Sequence, residues 1–340
     1  MIRRLQTIEQ LMAENILLIT HPSTIKALNN KEYPANDILK GLVLNNSNNE
    51  FQAVNIGRNK FKLIPTSKNL NIFLYRGQNA YYEPCLSSID RNNISKEQKI
   101  IDKLKKIEFI EFLKKHPVIN ELLKLKILDC SFDFNFEELA QHYGFLTNHI
   151  DLTNNEDIAM FFATTEYVLE KRTYRIITDQ ENRNGVLYKL IYNFSNKRIN
   201  IIGAQALERP TLQRAFSINM LQKEDFNKIS SHKKQFKITT ELSKKYFDMF
   251  DGGKKLMPNN SLINKVYEIQ DKKTILKDAI KIYVKEYNLE YNDIKRILLN
   301  NDYTISSKIV KFTKKESQKI TKEWLKNGKE LLYKKIKYRY

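Results

Sequence analysis

Phe73-Leu74-Tyr75-Arg76-Gly77-Gln78 joins an apolar run to a group of polar residues. The run from 71 to 75 predicts a buried strand, which would place Arg76 at the end of that strand. Gly77 would let the backbone turn there or approach a ligand closely. A guanidinium in such a place suits a phosphate or a carboxylate, because its planar fork donates two parallel hydrogen bonds. We therefore expect Arg76, Gly77 and Gln78 to belong to a binding site.

Polar caps and breaks place three predicted helices after this strand. Ser95 starts the first helix, which Pro117 ends, and Asn135 starts the second, which Gly144 ends. The third helix is predicted to start at Thr153 with a capping box. Further strands are predicted at 185–192, 198–202 and 217–220, and helical spacing of apolar residues resumes at 261. The pattern predicts an α+β fold with a mixed sheet flanked by helices.

A second polar group lies between the second and third predicted helices. His142 and Tyr143 offer a hydrogen-bonding ring and a flat aromatic surface, while Asp151 and Thr153 add an acceptor and a hydroxyl. Segments that connect regular elements are where binding residues gather. We expect these four residues and Arg76 to converge on one pocket.

The bulk composition narrows the class of protein. The chain has 340 residues, no apolar run long enough to cross a membrane and no secretion signal at its start. Its two cysteines, Cys85 and Cys130, are too few for a disulfide framework or a zinc cluster. These features predict a cytoplasmic protein without a metal site.

The excess of positive over negative charge is confined to the second half of the chain. Residues 1–170 carry 20 Lys and Arg against 21 Asp and Glu, whereas residues 171–340 carry 38 against 18. This asymmetry favours contact with nucleic acid or another polyanion, although a solvated helix face is the ordinary alternative. The candidate contacts lie among aromatic residues near the C-terminus: Lys314, Lys315, Lys334, Lys335, Lys337 and Arg339.

Several common catalytic motifs are absent from the sequence. It has no GxGxxG, no GxxxxGK[ST], no HExxH, no GxSxG and no EF-hand loop. Dinucleotide-fold, P-loop, zincin and α/β-hydrolase interpretations therefore lose their main support. A metal-dependent nuclease has little support either, since no carboxylate pair with a following lysine stands in a strand-turn context.

The remaining motifs resemble the FRG domain family, named for a Phe-Arg-Gly motif, over roughly 70–165. The resemblance rests on matching segments in the same order: Tyr75-Arg76-Gly77-Gln78, Pro84-Cys85-Leu86 with Arg91, Leu139-Ala140-Gln141-His142-Tyr143-Gly144, Thr147, Asp151-Leu152-Thr153 and Ala159-Met160-Phe161-Phe162-Ala163. A weaker echo appears at Arg209, Gln213 and Phe216. The resemblance implies an FRG-like core.

The layout is also similar to that of ADP-ribosyltransferases, which hold NAD with a strand-borne Arg or His and stack nicotinamide on an aromatic ring. That likeness implies that Arg76 and Gln78 bind NAD and that His142 and Tyr143 position its nicotinamide. Such enzymes use a glutamate at the ribose, and Glu208 or Gln213 would take that place. A glutamate there would stabilise an oxocarbenium-like state.

Structural roles remain open for the same residues. Arg76 would pair with Glu83 or Asp151 if it only stabilised the fold, because a buried arginine needs a carboxylate partner. His142 would then be a core histidine at a helix end. Packing is the alternative role for Tyr143, Thr153 would cap a helix, and Asp151 and Gln213 would tie loops together. Phe161 and Phe162 are expected in the core.

The sequence thus predicts an N-terminal mixed segment (1–70), an FRG-like core (71–225) and a basic, mainly helical region (226–340). The leading hypothesis is an NAD-dependent ADP-ribosyltransferase-like effector, such as a bacterial toxin or an antiviral defence protein, acting on a nucleic-acid-associated target. The alternative is a non-catalytic nucleic-acid-binding or sensing module. A protein target is compatible with the first hypothesis, and the oligomeric state stays open.

Overall fold

A computed structural model gives the fold of the chain. The residues that it describes are 51–57, 60–65, 72–91, 94–123, 126–127, 130–192, 198–202 and 207–323. The predicted α+β class is confirmed, with strands in largely antiparallel sheets and helices packed against them. No helix in this part of the chain has the length and apolar character needed to span a membrane.

The strands are short and are spread along the whole described chain: β1 (Phe51–Gly57), β2 (Lys60–Pro65), β3 (Ile72–Gln78), β4 (Lys126–Ile127), β5 (Cys130–Phe132), β6 (His149–Thr153), β7 (Thr165–Val168), β8 (Thr173–Ile176), β9 (Asn184–Tyr192), β10 (Ile199–Ile201), β11 (Ala215–Asn219), β12 (His232–Lys237), β13 (Thr274–Leu276) and β14 (Thr304–Ser306). The helices are α1 (Lys96–Leu113), α2 (Pro117–Leu122), α3 (Phe136–His142), α4 (Glu156–Thr164), α5 (Glu208–Leu212), α6 (Thr240–Met249), α7 (Ser261–Asp271), α8 (Lys277–Tyr287), α9 (Tyr291–Asn300) and α10 (Lys314–Glu323).

The main sheet has six strands in the order β10-β11-β6-β3-β9-β12, and every neighbouring pair is antiparallel. A second sheet, β1-β2-β5-β4, is mixed, because β2 and β5 run parallel. One face of the main sheet buries an apolar cluster that includes Leu74, Tyr188 and Phe216. The edge strand β12 lies beyond residue 225, the predicted end of the core. The main sheet therefore includes chain that the sequence analysis assigned to the basic, mainly helical region.

The two central strands of the main sheet separate along their length. The register between β3 and β6 consists of one pair, Tyr75 with Thr153. After Tyr75, β3 is paired only with β9 among the described strands, as far as Gln78. The facing part of β6, which precedes Thr153 and reaches back to His149, is paired among these strands only with β11. A gap therefore opens in the middle of the sheet, and Arg76 is the first β3 residue on its rim.

Helix α4 packs tightly over β3 and β9 because each strand contributes a glycine. A Cβ on Gly77 would come within 1.7 Å of the carbonyl oxygen of Ala159, and one on Gly185 would come within 2.6 Å of that of Ala163. Gly77 therefore serves a close approach of helix to strand, whereas the sequence suggested a turn or a ligand.

The C-terminal helices pack on α1. A buried apolar cluster joins Ile101 and Leu104 of α1 to Ile280 of α8 and Leu298 of α9. Within this contact the fully buried carboxylate of Glu108 accepts hydrogen bonds from Lys272 and from the backbone N–H of Leu276. The basic region is therefore fastened to the helices of the core by both apolar and polar contacts.

The structure confirms two predicted caps and corrects a third. Ser95 and Asn135 cap α1 and α3 through their side-chain oxygens. The N-terminal cap of α4 is Asn155 rather than Thr153, because Thr153 is still extended at the end of β6. Asp151 likewise lies in that strand and not in a loop, and Arg76 lies within β3 rather than at its end.

Candidate active site

The gap between β3 and β6 leads into a cavity of about 760 Å³. The main parts of its wall are the segments 75–79 and 82–86, Arg91, His142, 151–153, Ile158, Ala159, Phe162, Thr165, Tyr167, Tyr174, Gln213 and Met257. Of the nine residues that the sequence assigned to catalysis or NAD binding, seven therefore meet here: Arg76, Gly77, Gln78, His142, Asp151, Thr153 and Gln213.

Arg76 bridges the opening between the two strands. Its Nη1 donates a hydrogen bond of 3.1 Å to the backbone oxygen of Asp151, at the place where a continuing sheet would supply an N–H. It forms no ion pair with Glu83 or with the carboxylate of Asp151. Its Nε is buried and has no hydrogen-bond partner among the described residues. One arm of the guanidinium thus spans the gap, and the Nε donor stays unpaired within the described part of the chain.

His142 ends helix α3 with its ring almost completely buried, since the residue is 7% exposed. Its Nδ1 lies 3.0 Å from Oε1 of Gln213. Its Nε2 lies 3.5 Å from Oδ1 of Asp151 without forming an aligned hydrogen bond. The ring is therefore held between an amide and a carboxylate.

The carboxylate of Asp151 is held from one side. The side chain of Gln141 donates to its Oδ2 at 3.4 Å, and Gln141 in turn accepts a hydrogen bond from the hydroxyl of Thr147. The other oxygen, Oδ1, is buried and lacks a hydrogen-bond partner in the part of the chain that the structure describes. Buried polar atoms are nearly always paired in folded proteins. Three such atoms at one cavity, on Arg76, His142 and Asp151, therefore make it the candidate ligand site.

Aromatic side chains line another part of the cavity. Tyr167 and Tyr174, on the β7–β8 hairpin, have ring centroids 5.1 Å apart, and Phe162 lies 6.1 Å from Tyr174. Burial raises the pKa of Tyr174, and burial and the neighbouring Tyr267 raise that of Tyr167 to about 12. The phenols are therefore neutral at physiological pH and present flat, uncharged surfaces suited to a ring.

Tyr75, on the rim, has its pKa raised mainly by burial and then by the nearby carboxylate of Glu156. Thr153 lies deeper and donates its hydroxyl to the backbone oxygen of Gln213 at 2.8 Å. Gly77 faces helix α4 as described above. Thr153 and Gly77 therefore form part of the cavity wall. The cavity's unpartnered polar atoms belong to Arg76, His142 and Asp151.

Two predicted site residues lie outside the cavity. Tyr143 is buried in the core, 5.6 Å from the ring of Phe109, where burial raises its pKa. Its ring therefore packs in the core and does not line the cavity, in contrast to its predicted place in the pocket. Glu208 is exposed at the start of α5, where it accepts a 2.6 Å hydrogen bond from Asn260. Glu208 therefore does not line the cavity, in contrast to its predicted place beside the other site residues.

Sequence reasoning missed part of the aromatic wall. Phe162 was expected in the core with Phe161, but only Phe161 is fully buried. Tyr174 stands between Thr173 and Arg175, and this alternation predicts that its ring faces inward. The alternation cannot show whether the ring faces a cavity or a packed core. Met257 had no signal, because a turn far along the chain brings it there.

In a comparison with known families, residues 71–172 match a family model described as the FRG domain. This confirms the resemblance read from the motifs. Comparisons with curated proteins and with solved structures found no significant match.

The FRG domain supplies the polar centre of the cavity, with Arg76, His142 and Asp151 all inside the matched range. Residues beyond the match complete the wall. Gln213 holds the ring of His142, and Tyr174 and Met257 close other sides. The site is therefore built by the FRG domain together with the chain that follows it.

The predicted nucleic-acid contacts lie elsewhere. Lys314 and Lys315 are exposed at the start of α10. The other four, Lys334, Lys335, Lys337 and Arg339, lie outside the described residues. Within 308–322, the six lysines are all exposed, and Glu316 is the single acidic residue. This segment is therefore a strongly basic surface.

Proposed function

We propose that the cavity is the active site of an ADP-ribosyltransferase-like enzyme with NAD as its substrate. The observation that carries the proposal is the set of buried, unpartnered atoms at one cavity: Arg76 Nε, His142 Nε2 and Asp151 Oδ1. They offer a donor to an anion, a proton acceptor and a carboxylate. A transfer reaction at a sugar carbon can use all three groups.

The cavity fits a dinucleotide in size and in chemistry. Its volume of about 760 Å³ lies within the range of roughly 300–1,000 Å³ found for small-molecule sites. Arg76 is suited to the pyrophosphate, with Gln78 beside it on β3. Phe162 and Tyr174 offer ring surfaces to nicotinamide, in place of Tyr143.

Asp151 is the carboxylate that the reaction requires. Gln141 holds one of its oxygens, and the other is left for the substrate. A fixed anion stabilises positive charge at the sugar carbon as its bond to nitrogen breaks and nicotinamide leaves with the bonding pair. Asp151 thus takes the place that the sequence offered to Glu208 or Gln213.

His142 is the general base for the molecule that accepts the ADP-ribose group. A hydroxyl of the acceptor, or water, forms the new bond to the sugar carbon and passes its proton to Nε2 of His142. Solvent then removes that proton. The products are nicotinamide and either an ADP-ribosylated acceptor or free ADP-ribose.

The test is release of nicotinamide from NAD by the purified full chain, with and without cell extract as a source of acceptor. We expect Asp151→Asn to lower the rate by at least about 100-fold, because a neutral amide does not stabilise the cation. Asp157→Asn, a change at an exposed position on α4, is the matched control. The proposal is wrong if NAD is neither cleaved nor transferred, or if Asp151→Asn retains wild-type activity.

A second candidate function, a nucleic-acid-binding or sensing module without catalysis, is favoured by the basic segment 308–322. Contacts between lysines and phosphates release counterions, so the affinity should fall steeply with salt. Changing both Lys314 and Lys315 to Gln should reduce the slope of log K against log salt by about two. Strong binding together with no reaction of NAD would favour this candidate over the enzyme.

The proposed setting is a cytoplasmic effector, either a bacterial toxin or an antiviral defence protein, whose target is associated with nucleic acid. The basic segment would bring the active site to such a target. Expression of the full chain in bacteria should then slow growth, and Asp151→Asn should relieve the effect. Equal growth with both chains would contradict this setting.

A further inference from the structure

The amide of Gln213 has one orientation in the fold. Its Nε2 donates to the backbone oxygen of Leu256 at 3.2 Å, which turns its Oε1 toward Nδ1 of His142 at 3.0 Å. Gln213 is 7% exposed, so bulk water does not compete for these bonds. An amide oxygen accepts hydrogen bonds and cannot donate one. The hydrogen between Gln213 and His142 is therefore carried by Nδ1.

We infer that Gln213 is a positioning residue that fixes the proton of neutral His142 on Nδ1 and keeps Nε2 as an acceptor. That nitrogen then stands 3.5 Å from another acceptor, Oδ1 of Asp151. Two acceptors at this distance repel each other unless a donor lies between them. The pair is thus a subsite for one hydroxyl or N–H group of a substrate that donates to both atoms, and the contact between these two solvent-inaccessible atoms has to open to admit that group.

The opposite tautomer would close this subsite. With its proton on Nε2, His142 would donate directly to Asp151, and both atoms would be satisfied within the protein. Gln213 prevents this arrangement because Nδ1 would then present a lone pair to the lone pairs of Oε1. The inference rests on the proposed function in one respect: there, the donor between the two acceptors is the hydroxyl whose proton His142 removes.

This assignment gives a role to a residue outside the FRG match, which ends at residue 172. Gln213 follows α5, and Leu256, which orients it, lies in the turn before α7. The FRG domain provides the histidine, and the later chain provides the amide that sets its tautomer. A chain ending soon after the match would lack that control.

The direct test is ¹⁵N NMR of the histidine rings in the full chain, with His142→Gln used to assign the signals. Spectra are recorded at a pH where the ring of His142 gives the signals of neutral imidazole. We expect a proton on Nδ1 in the wild type and in the exposed control Gln235→Leu. Gln213→Leu should shift the population toward the Nε2–H form. A wild-type ring protonated on Nε2, or an unchanged tautomer in Gln213→Leu, would overturn the inference.

Steady-state kinetics with NAD provide the second readout. Gln213→Leu should lower kcat at least about tenfold with little change in KM, because the altered tautomer affects the proton transfer more than binding. Gln213→Glu keeps an acceptor for Nδ1–H and should retain more activity than Gln213→Leu. Equal losses of kcat in both variants would contradict the role of Gln213 in fixing the proton on Nδ1 of His142. The NMR result stands whether or not NAD is the substrate, so the two proposals can fail separately.

Discussion

Gly77 lies directly under the carbonyl oxygen of Ala159, so that a Cβ on Gly77 would come within 1.7 Å of that oxygen. This contact joins the strand that carries Arg76 to the helix that forms one wall of the cavity. It explains why a glycine follows the arginine, since any side chain would push α4 away from β3. The same displacement would move Ile158 and Phe162, which line the cavity.

We predict that Gly77→Ala destabilises the protein by about 3 kcal/mol or more, as strong overpacking does. Urea unfolding followed by circular dichroism measures the change in free energy. The obstacle is a backbone oxygen, so adding Ala159→Gly should not restore stability. A single variant within about 1 kcal/mol of the wild type would show that α4 can shift without cost.

We predict that Arg76→Lys weakens binding of NAD at least about tenfold, because one ammonium group cannot replace the two arms of the guanidinium. In the wild type, one arm donates to Asp151 while Nε is left for a ligand. Isothermal titration calorimetry with NAD measures the dissociation constant. Arg296→Lys, at an exposed arginine paired with Asp293, serves as the control. Unchanged affinity in Arg76→Lys would remove Arg76 from the binding site.

We predict that Lys272→Met destabilises the fold by about 3 kcal/mol or more, because it leaves the fully buried carboxylate of Glu108 without its cation. The exposed pair of Lys281 and Asp278, with its atoms 3.1 Å apart, is the natural comparison. Lys281→Met should cost less than about 1 kcal/mol. Thermal and urea unfolding give both values, and similar losses in the two variants would contradict this account.

We predict that stability falls as the pH drops from about 6.5 toward 4, in part because of His116. Burial lowers the pKa of His116 from 6.5 to about 4. Below pH 6.5 the unfolded chain takes up a proton that the folded chain does not, so protonation favours unfolding. The full effect is on the order of 3 kcal/mol.

His116→Asn isolates this contribution. His116 accepts a 3.3 Å hydrogen bond from the backbone N–H of Val118 through Nδ1, and the oxygen of Asn can accept the same bond. The variant should show a flatter dependence of unfolding free energy on pH between 7 and 4. An identical slope in both proteins would mean that His116 does not contribute.

Local patterns predicted many individual elements of this chain. The caps at Ser95 and Asn135, the strand around Arg76 and the strand at 184–192 follow from periodicity and from side chains that satisfy helix ends. Thr153 failed as a cap because pairing with Tyr75 and Ala215 keeps it in the sheet. Contacts between strands distant in sequence outweighed a local capping preference there.

The motif residues of the site could be predicted, but their roles could not. Tyr143 and His142 are neighbours in the sequence, yet one ring packs against Phe109 and the other contacts Gln213. Adjacent residues at a helix end point in different directions, and only the packed neighbours decide which direction faces the core. Glu208 had the right charge, but it lies on the outer surface.

The sequence by itself determined the α+β class, the FRG domain, the polar residues of the site and the basic second half of the chain. These follow from residue types and their short-range spacing. The tertiary structure alone decided that β3 and β6 separate after Tyr75, that Asp151 lines the resulting cavity while Glu208 lies outside it, and that the amide of Gln213 contacts His142. Such facts depend on contacts between residues far apart in the chain, because strand pairing and burial are set by the whole fold and leave no local signature.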